Sequence, residues 1–285
     1  MIRTLFITSR PLSWVNTAYP FAAAYLLATG RIDAPLIVGT LFFLVPYNLA
    51  MYGINEVFDY ESDTRNPRKG GVEGGLLPPA QHRATLWTSV LLPVPFVVYL
   101  VVVGSWVSDL VLAISLFAVV AYSITGLRFK ERPFLDSLTS ATHFVSPAVF
   151  GLALAGARPT VPLVLILVAF FLWGCASHAF GAVQDVQADR AGGIASIATV
   201  TGARATARLA LVLYLVAGVL LLFTDWPGPL AAVLALPYAV NVAPWWNVTD
   251  ADAAGANRGW RRFLWINFAT GFLVTLLLIW WALIR

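Results

Sequence analysis

Runs of about 20 apolar residues, parted by short polar breaks, recur along the whole of this chain, and few folds can accept them. A soluble domain could not hide so much hydrocarbon from water. In a bilayer each run can close its backbone hydrogen bonds internally as a helix, which is what a solvent without donors or acceptors demands. Composition agrees: of 285 residues 59% are hydrophobic and 11% charged, and the mean hydropathy is +0.79. The pattern predicts an all-α integral membrane protein, a single polytopic domain over 1–285. Its spans are expected at roughly 12–30, 35–54, 84–104, 108–125, 137–156, 160–180, 206–224, 228–246 and 263–283. The breaks at Ser105–Asp109 and Thr224–Pro229 are so short that eight spans fit as well as nine.

Charge placement gives an orientation, because Lys and Arg collect in cytoplasmic loops. With the N-terminus inside, only Arg31, Arg158 and Arg285 of the 18 Lys and Arg fall outside, and of the 14 acids only Asp33, Asp109 and Asp225. The expected location is therefore the cell membrane, with the N-terminus and the polar chemistry on the cytoplasmic side. The net charge of +4 then reflects membrane orientation, and no basic stretch interleaved with aromatics points to nucleic acid. Met1–Phe6 is not followed by a short apolar core and a small-residue cleavage site, so no removable signal peptide is expected. Cys175, the single cysteine, excludes an intramolecular disulfide and reads as a small buried side chain. Most of the 11 tryptophans read as interface anchors, with Trp14 and Trp173 as alternatives that could line an apolar cavity.

Against this background two acidic clusters stand at span ends, Asn55-Glu-Val-Phe-Asp59-Tyr-Glu61-Ser-Asp63 and Asp185-Val-Gln-Ala-Asp189. Carboxylates four apart share a face of a helical turn and can aim oxygens at a common point. One such pair is an ordinary solvated helix end. Two, each at the cytoplasmic end of an apolar span, point to a site. Hard oxygen donors suit Mg²⁺, and Mg²⁺ suits phosphate. The polar loops supply the rest of what a phosphate ester needs: cations at Arg68, Lys69, Arg128, Lys130 and Arg132, and the glycines of Asn66-Pro-Arg-Lys-Gly-Gly71 and Gly74-Gly75 for close backbone approach. No Gly-x-x-x-x-Gly-Lys-Ser/Thr is present, which removes a P-loop reading.

These residues resemble the intramembrane aromatic prenyltransferase (UbiA-type) superfamily, whose signatures are Asn-Asp-x-x-Asp-x-x-x-Asp and a later Asp-x-x-x-Asp. Asn55, Asp59 and Asp63 fit the first signature, with Glu56 where the family usually has Asp; Asp185 and Asp189 fit the second. Tyr122-Ser, followed by Leu127-Arg-Phe-Lys130-x-Arg132-Pro-x-x-Asp136, is similar to the family's middle basic loop, and Ala188 takes a place often filled by Gly. The likeness spans nearly the full chain. It implies a bundle of about nine transmembrane helices around a central cavity open to lipid, with a cytoplasmic metal and diphosphate site. There Asn55, Asp59, Asp63, Asp185 and Asp189 would hold Mg²⁺, the four aspartates being catalytic. Arg68, Lys69, Arg128, Lys130 and Arg132 would bind the diphosphate of an isoprenyl donor, whose allylic cation alkylates a hydrophobic acceptor.

A narrower resemblance, carried by Ser9-Arg-Pro-Leu-Ser-Trp-Val-Asn-Thr-Ala-Tyr-Pro20, Asn55 to Gly75 and Ser177-His-Ala-Phe-Gly-Ala-Val-Gln-Asp185, is to bacterial carotenoid prenyltransferases, the lycopene elongases. It implies dimethylallyl diphosphate as donor and lycopene as acceptor. Compatible with this, no Lys or Arg lies deep in a span to receive an acidic acceptor. A quinone, chlorophyll or lipid-ether prenyltransferase, a membrane terpene cyclase, and a non-enzymatic carrier of a phosphorylated lipid would hold the same charges. His178, seven residues before Asp185, and His143, seven after Asp136, could border the cavity and accept the proton lost on alkylation, and Tyr122 shares that placement. Both histidines also read as ordinary interhelical hydrogen-bonding groups. Oligomeric state and any second subunit stay open.

Overall fold

The computed structural model describes residues 1–64 and 76–284, with the backbone alone at 62 and 63. Helices follow the apolar runs: α1 (Ile2–Thr8), α2 (Trp14–Thr29), α3 (Ala34–Leu44), α4 (Pro46–Phe58), α5 (Tyr60–Asp63), α6 (Pro79–Leu91), α7 (Val94–Val103) and α8 (Trp106–Ser123) come first. Then come α9 (Leu135–Leu154), α10 (Val161–Val183), α11 (Val186–Ala191), α12 (Ile197–Thr201), α13 (Ala203–Leu221), α14 (Ala235–Val242) and α15 (Asn257–Leu283). Among the described residues, eight stretches are long and apolar enough to cross a membrane: Ala34–Phe58, Pro79–Val103, Trp106–Ser123, Leu135–Leu154, Val161–Val183, Ala203–Leu221, Gly228–Trp245 and Ala253–Leu283. The remaining expected run is α2, a helix of 16 residues. The chain clusters into two compact units, Met1–Phe129 with Thr142–Ala157, and Lys130–Ala141 with Arg158–Arg285.

In the first unit α2 packs on α3, and α4 packs on α1, α6 and α8. The core is aromatic. Phe21, Phe42, Phe43, Tyr47 and Phe150 are fully buried, and the Phe21 ring centre lies 5.2 Å from Phe43 and 5.8 Å from Phe150. Gly39 and Gly151 admit Phe21: a Cβ at Gly39 would run into its ring, and one at Gly151 would meet its carbonyl oxygen at 2.8 Å. Pro46 explains why the second expected span is two helices, since its missing N–H leaves a carbonyl of the preceding turn without its helical donor. Side chains serve the next two carbonyls along the break: the Thr17 hydroxyl donates to the Phe43 carbonyl at 2.7 Å, and the Asn48 amide donates to Phe43 at 2.8 Å and Leu44 at 3.1 Å. Asn48 thus serves the backbone in a region where lipid offers no partner.

The second unit is built on α10 lying along α13. Ala176, Ala179, Ala203, Ala207 and Ala210 are buried in this packing, where small side chains let two helices approach closely. The Ser177 and Tyr214 hydroxyls bond at 2.9 Å beside them. Tyr214, Tyr238, Trp173, Phe263 and Trp260 form a continuous ring cluster, so Trp173 belongs to packing here. Cys175 is buried, as expected. Outward faces carry large apolar side chains such as Val102, Phe223, Val240 and Phe272, a surface suited to lipid.

Candidate active site

The first acidic turn closes α4. Asp59 is its C-cap and only 3% exposed. The Asn55 amide donates to Asp59 Oδ2 at 2.5 Å and to the Ser123 hydroxyl at 3.0 Å, tying the turn to the end of α8. Arg128 brings its guanidinium to 3.8 Å from Asp59 Oδ1, from a backbone in the left-handed region, φ 39°. That conformation is uncommon for a side chain with a Cβ and marks a position fixed by its surroundings. With its nitrogen given to Asp59 and Ser123, Asn55 has its carbonyl oxygen to offer a cation. Glu56, 2% exposed, turns to another neighbour: it accepts from the Thr8 hydroxyl at 2.8 Å and stands 4.0 Å from Arg10. Tyr122 lies edge to face with the buried His143, ring centres 5.3 Å apart.

In the second unit α10 ends at Val183, and Asp185 caps the short α11 that carries Asp189; the Asp189 N–H donates to the Asp185 carbonyl at 2.8 Å. The two carboxylates thus sit one helical turn apart on a common face. Residues on the other face fasten the turn. Gln184 accepts from the Asn257 amide at 2.6 Å, Gln187 donates to the Ala251 carbonyl at 3.0 Å, and Arg190 donates to Asp250 at 2.6 Å and to the Thr199 carbonyl at 2.9 Å. The Ala203 N–H, then Arg190, hold the Asp250 carboxyl below the usual carboxylate range. Its support for this end is therefore present above the ordinary carboxylate pKa and fades as acid protonates the folded form.

Lys130 lies 4.0 Å from Glu131, Arg132 is exposed, and Asp136, in the first turn of α9, is fully buried. Asp136 accepts from the Ser137 and Ile197 N–H groups, both at 2.7 Å. Ser137 in turn meets His178 Nδ1 at 3.1 Å. The motif reading had not brought Thr8, Ser123, Ser137 or Asn257 to these turns. Of the expected diphosphate-binding residues, Arg68 and Lys69 lie outside the described residues, as does the side chain of Asp63.

The donors present suit Mg²⁺: carboxylates and an amide carbonyl, all hard oxygen. Among the described residues no three His, Cys, Asp or Glu side chains converge into a cage, and Mg²⁺ does not require one, being held through one or two carboxylates together with substrate phosphates.

The model of the UbiA prenyltransferase family matches residues 17–269. A lycopene elongase/hydratase of Corynebacterium glutamicum is 54% identical over 278 residues, 98% of this chain and 97% of the relative. The C(50) beta-cyclic carotenoids biosynthesis protein LbtBC of Dietzia sp. is 59% identical over 285 residues, which is 100% of this chain and 66% of that longer protein. A UbiA homolog from Archaeoglobus fulgidus, solved bound to DMAPP and Mg²⁺, shares the fold with a TM-score of 0.70 at 17% identity, over 93% of this chain and 98% of that one. Helical membrane architecture, acidic turns at both expected places and a family match over most of the length agree: the chain belongs to the UbiA prenyltransferase family.

Proposed function

We propose that this prenyltransferase transfers a C5 unit from dimethylallyl diphosphate to lycopene, on the way to C50 carotenoids. The observation that carries the reading is 54% identity, nearly end to end, with a protein named lycopene elongase/hydratase. Asn55, Asp59, Asp63, Asp185 and Asp189 are the residues proposed to hold Mg²⁺. When bound, the ion supplies positive charge to the departing diphosphate. The chain's own groups do the rest. Arg128, beside Asp59, is proposed to take further diphosphate oxygens together with Arg68, Lys69, Lys130 and Arg132. The allylic C–O bond breaks with its electron pair leaving on the diphosphate, and the π electrons of a terminal double bond of lycopene form the new C–C bond. The resulting tertiary cation ends by losing a proton or taking water. His178, its ring fixed through Nδ1 by the Ser137 hydroxyl, is proposed as proton acceptor, and Tyr122 as a neighbour of the acceptor. A lycopene-producing host given this gene should accumulate C45 and C50 pigments. An unchanged pigment profile with protein present in the membrane contradicts the proposed acceptor.

The N-terminus and both acidic turns are proposed to face the cytoplasm of the cell membrane, on the Lys and Arg asymmetry. In a Cys175→Ala background, Thr64→Cys, at an exposed position, should react with an impermeant thiol reagent only once the inner face is opened, whereas Arg158→Cys, also exposed, should react from outside. Labelling of Thr64→Cys in sealed, right-side-out cells contradicts the orientation.

A further inference from the structure

Glu56 stands inside the acidic motif, where the family usually has Asp, yet its surroundings differ from those of Asn55 and Asp59. On α4 it is one residue past Asn55 and three before Asp59, about 100° and 60° round the helix from them. It therefore meets a different neighbour, the N-terminal segment. The Thr8 hydroxyl donates to Glu56 Oε2 at 2.8 Å, Arg10 Nε stands 4.0 Å from Oε1, and the Arg10 guanidinium lies 4.2 Å from the centre of the Tyr52 ring, one turn back on the same face. Thr8, Ser9 and Glu56 are all buried. Two further features show that the segment is held in place. Arg10 takes the left-handed backbone region, φ 51°, which a residue with a Cβ adopts only where its contacts require it. The Trp14 indole N–H donates back to the Ser9 carbonyl at 3.0 Å, with its ring edge-on to Phe6. Asn55 and Asp59 meanwhile engage a separate pair, Ser123 and Arg128.

We propose that Glu56 is a positioning residue and not a metal ligand: Thr8 and Arg10 clamp the last turn of α4 through it and set the rotation at which Asn55 and Asp59 present their oxygens. Glutamate suits this task because it reaches one methylene further than the aspartate usual there. The N-terminal helix α1 thereby becomes part of the site. The inference rests on the Mg²⁺ reading above, and the test separates the two.

The probe is MgCl₂ with inorganic pyrophosphate, added to the full chain in detergent, and the readout is the Mg²⁺ midpoint of the rise in melting temperature. Thr8→Val, nearly isosteric, should move the midpoint up by roughly 10-fold or more, the size of effect seen when a ligand's supporting partner is lost. Thr8→Ser, which keeps the hydroxyl, should restore it. Glu56→Gln still offers an oxygen to Thr8 and should shift the midpoint less than Thr8→Val does. The opposite ranking, with the response lost in Glu56→Gln and normal in Thr8→Val, overturns the proposal and makes Glu56 a ligand. If Thr8→Val does not fold, Glu56→Gln decides alone: a retained response supports the clamp and a lost one overturns it. If the wild-type protein shows no Mg²⁺ response, the metal reading fails. The clamp is then judged by hydrogen–deuterium exchange of residues 55–61, where faster exchange in Thr8→Val than in Thr8→Ser supports it and equal exchange overturns it.

Discussion

Asp59→Asn should lower turnover by about 10²–10³-fold while leaving the melting temperature close to that of the wild type. The amide has the shape of the carboxylate and keeps an oxygen for the Asn55 amide to bond, so what disappears is the charge, set 3.8 Å from Arg128. Alanine is a poorer test. Asp59 is buried, and truncation would strip Asn55 and Arg128 of an acceptor as well as removing the charge. Initial rates of pyrophosphate release, measured beside thermal melting, check the expectation. Near-normal turnover in both Asp59→Asn and Asp185→Asn would remove the assignment of the acidic turns to the donor diphosphate.

The second large effect is on stability. Asp136→Ala should cost about 3–5 kcal/mol, the loss expected when two charge-assisted hydrogen bonds to buried groups vanish together. The carboxylate is 0% exposed and accepts at 2.7 Å from the Ile197 N–H, which opens α12, and from the Ser137 N–H. Asparagine keeps one acceptor and should fall between alanine and wild type. Because Ser137 also holds His178, turnover should decline with stability. Thermal unfolding in detergent measures the effect, and an Asp136→Ala protein that melts with the wild type contradicts this account of the residue.

Much of the fold was legible because lipid leaves a chain little choice. A run of about 20 apolar residues must be a helix there, and each of the nine runs is largely helical, though two are split in two and the last helix begins at Asn257, well before its expected start at 263. The break at Pro46 could be seen in the sequence, but not the bond that Thr17 of another helix makes to the Phe43 carbonyl beside it. Motif spacing singled out Asn55, Asp59, Asp185 and Asp189 as candidates because helical periodicity alone puts such pairs on one face. Spacing assigns nothing to Glu56, which falls between the first two of them. Only the i, i+4 relation of Tyr52 to Glu56 hints at a shared face, and nothing local connects them to Thr8, 48 positions away. Asp136 is a parallel case, reading as the end of a basic loop when its partner Ile197 lies 61 positions on. Ser108 and Ser137 open expected spans, and both are buried: Ser108 completes a capping box with Ser105, and Ser137 bonds His178. A polar letter at a span end does not say whether it meets water or a helix terminus.

The most direct test of the central claim is product analysis with membranes containing this protein, supplied with lycopene, dimethylallyl diphosphate and Mg²⁺. Chromatography with mass detection should show one and then two C5 additions, giving C45 and C50 products, stopped by EDTA and restored by Mg²⁺. Lycopene recovered unchanged, while 4-hydroxybenzoate or a lipid-ether acceptor is prenylated under the same conditions, would contradict the carotenoid reading.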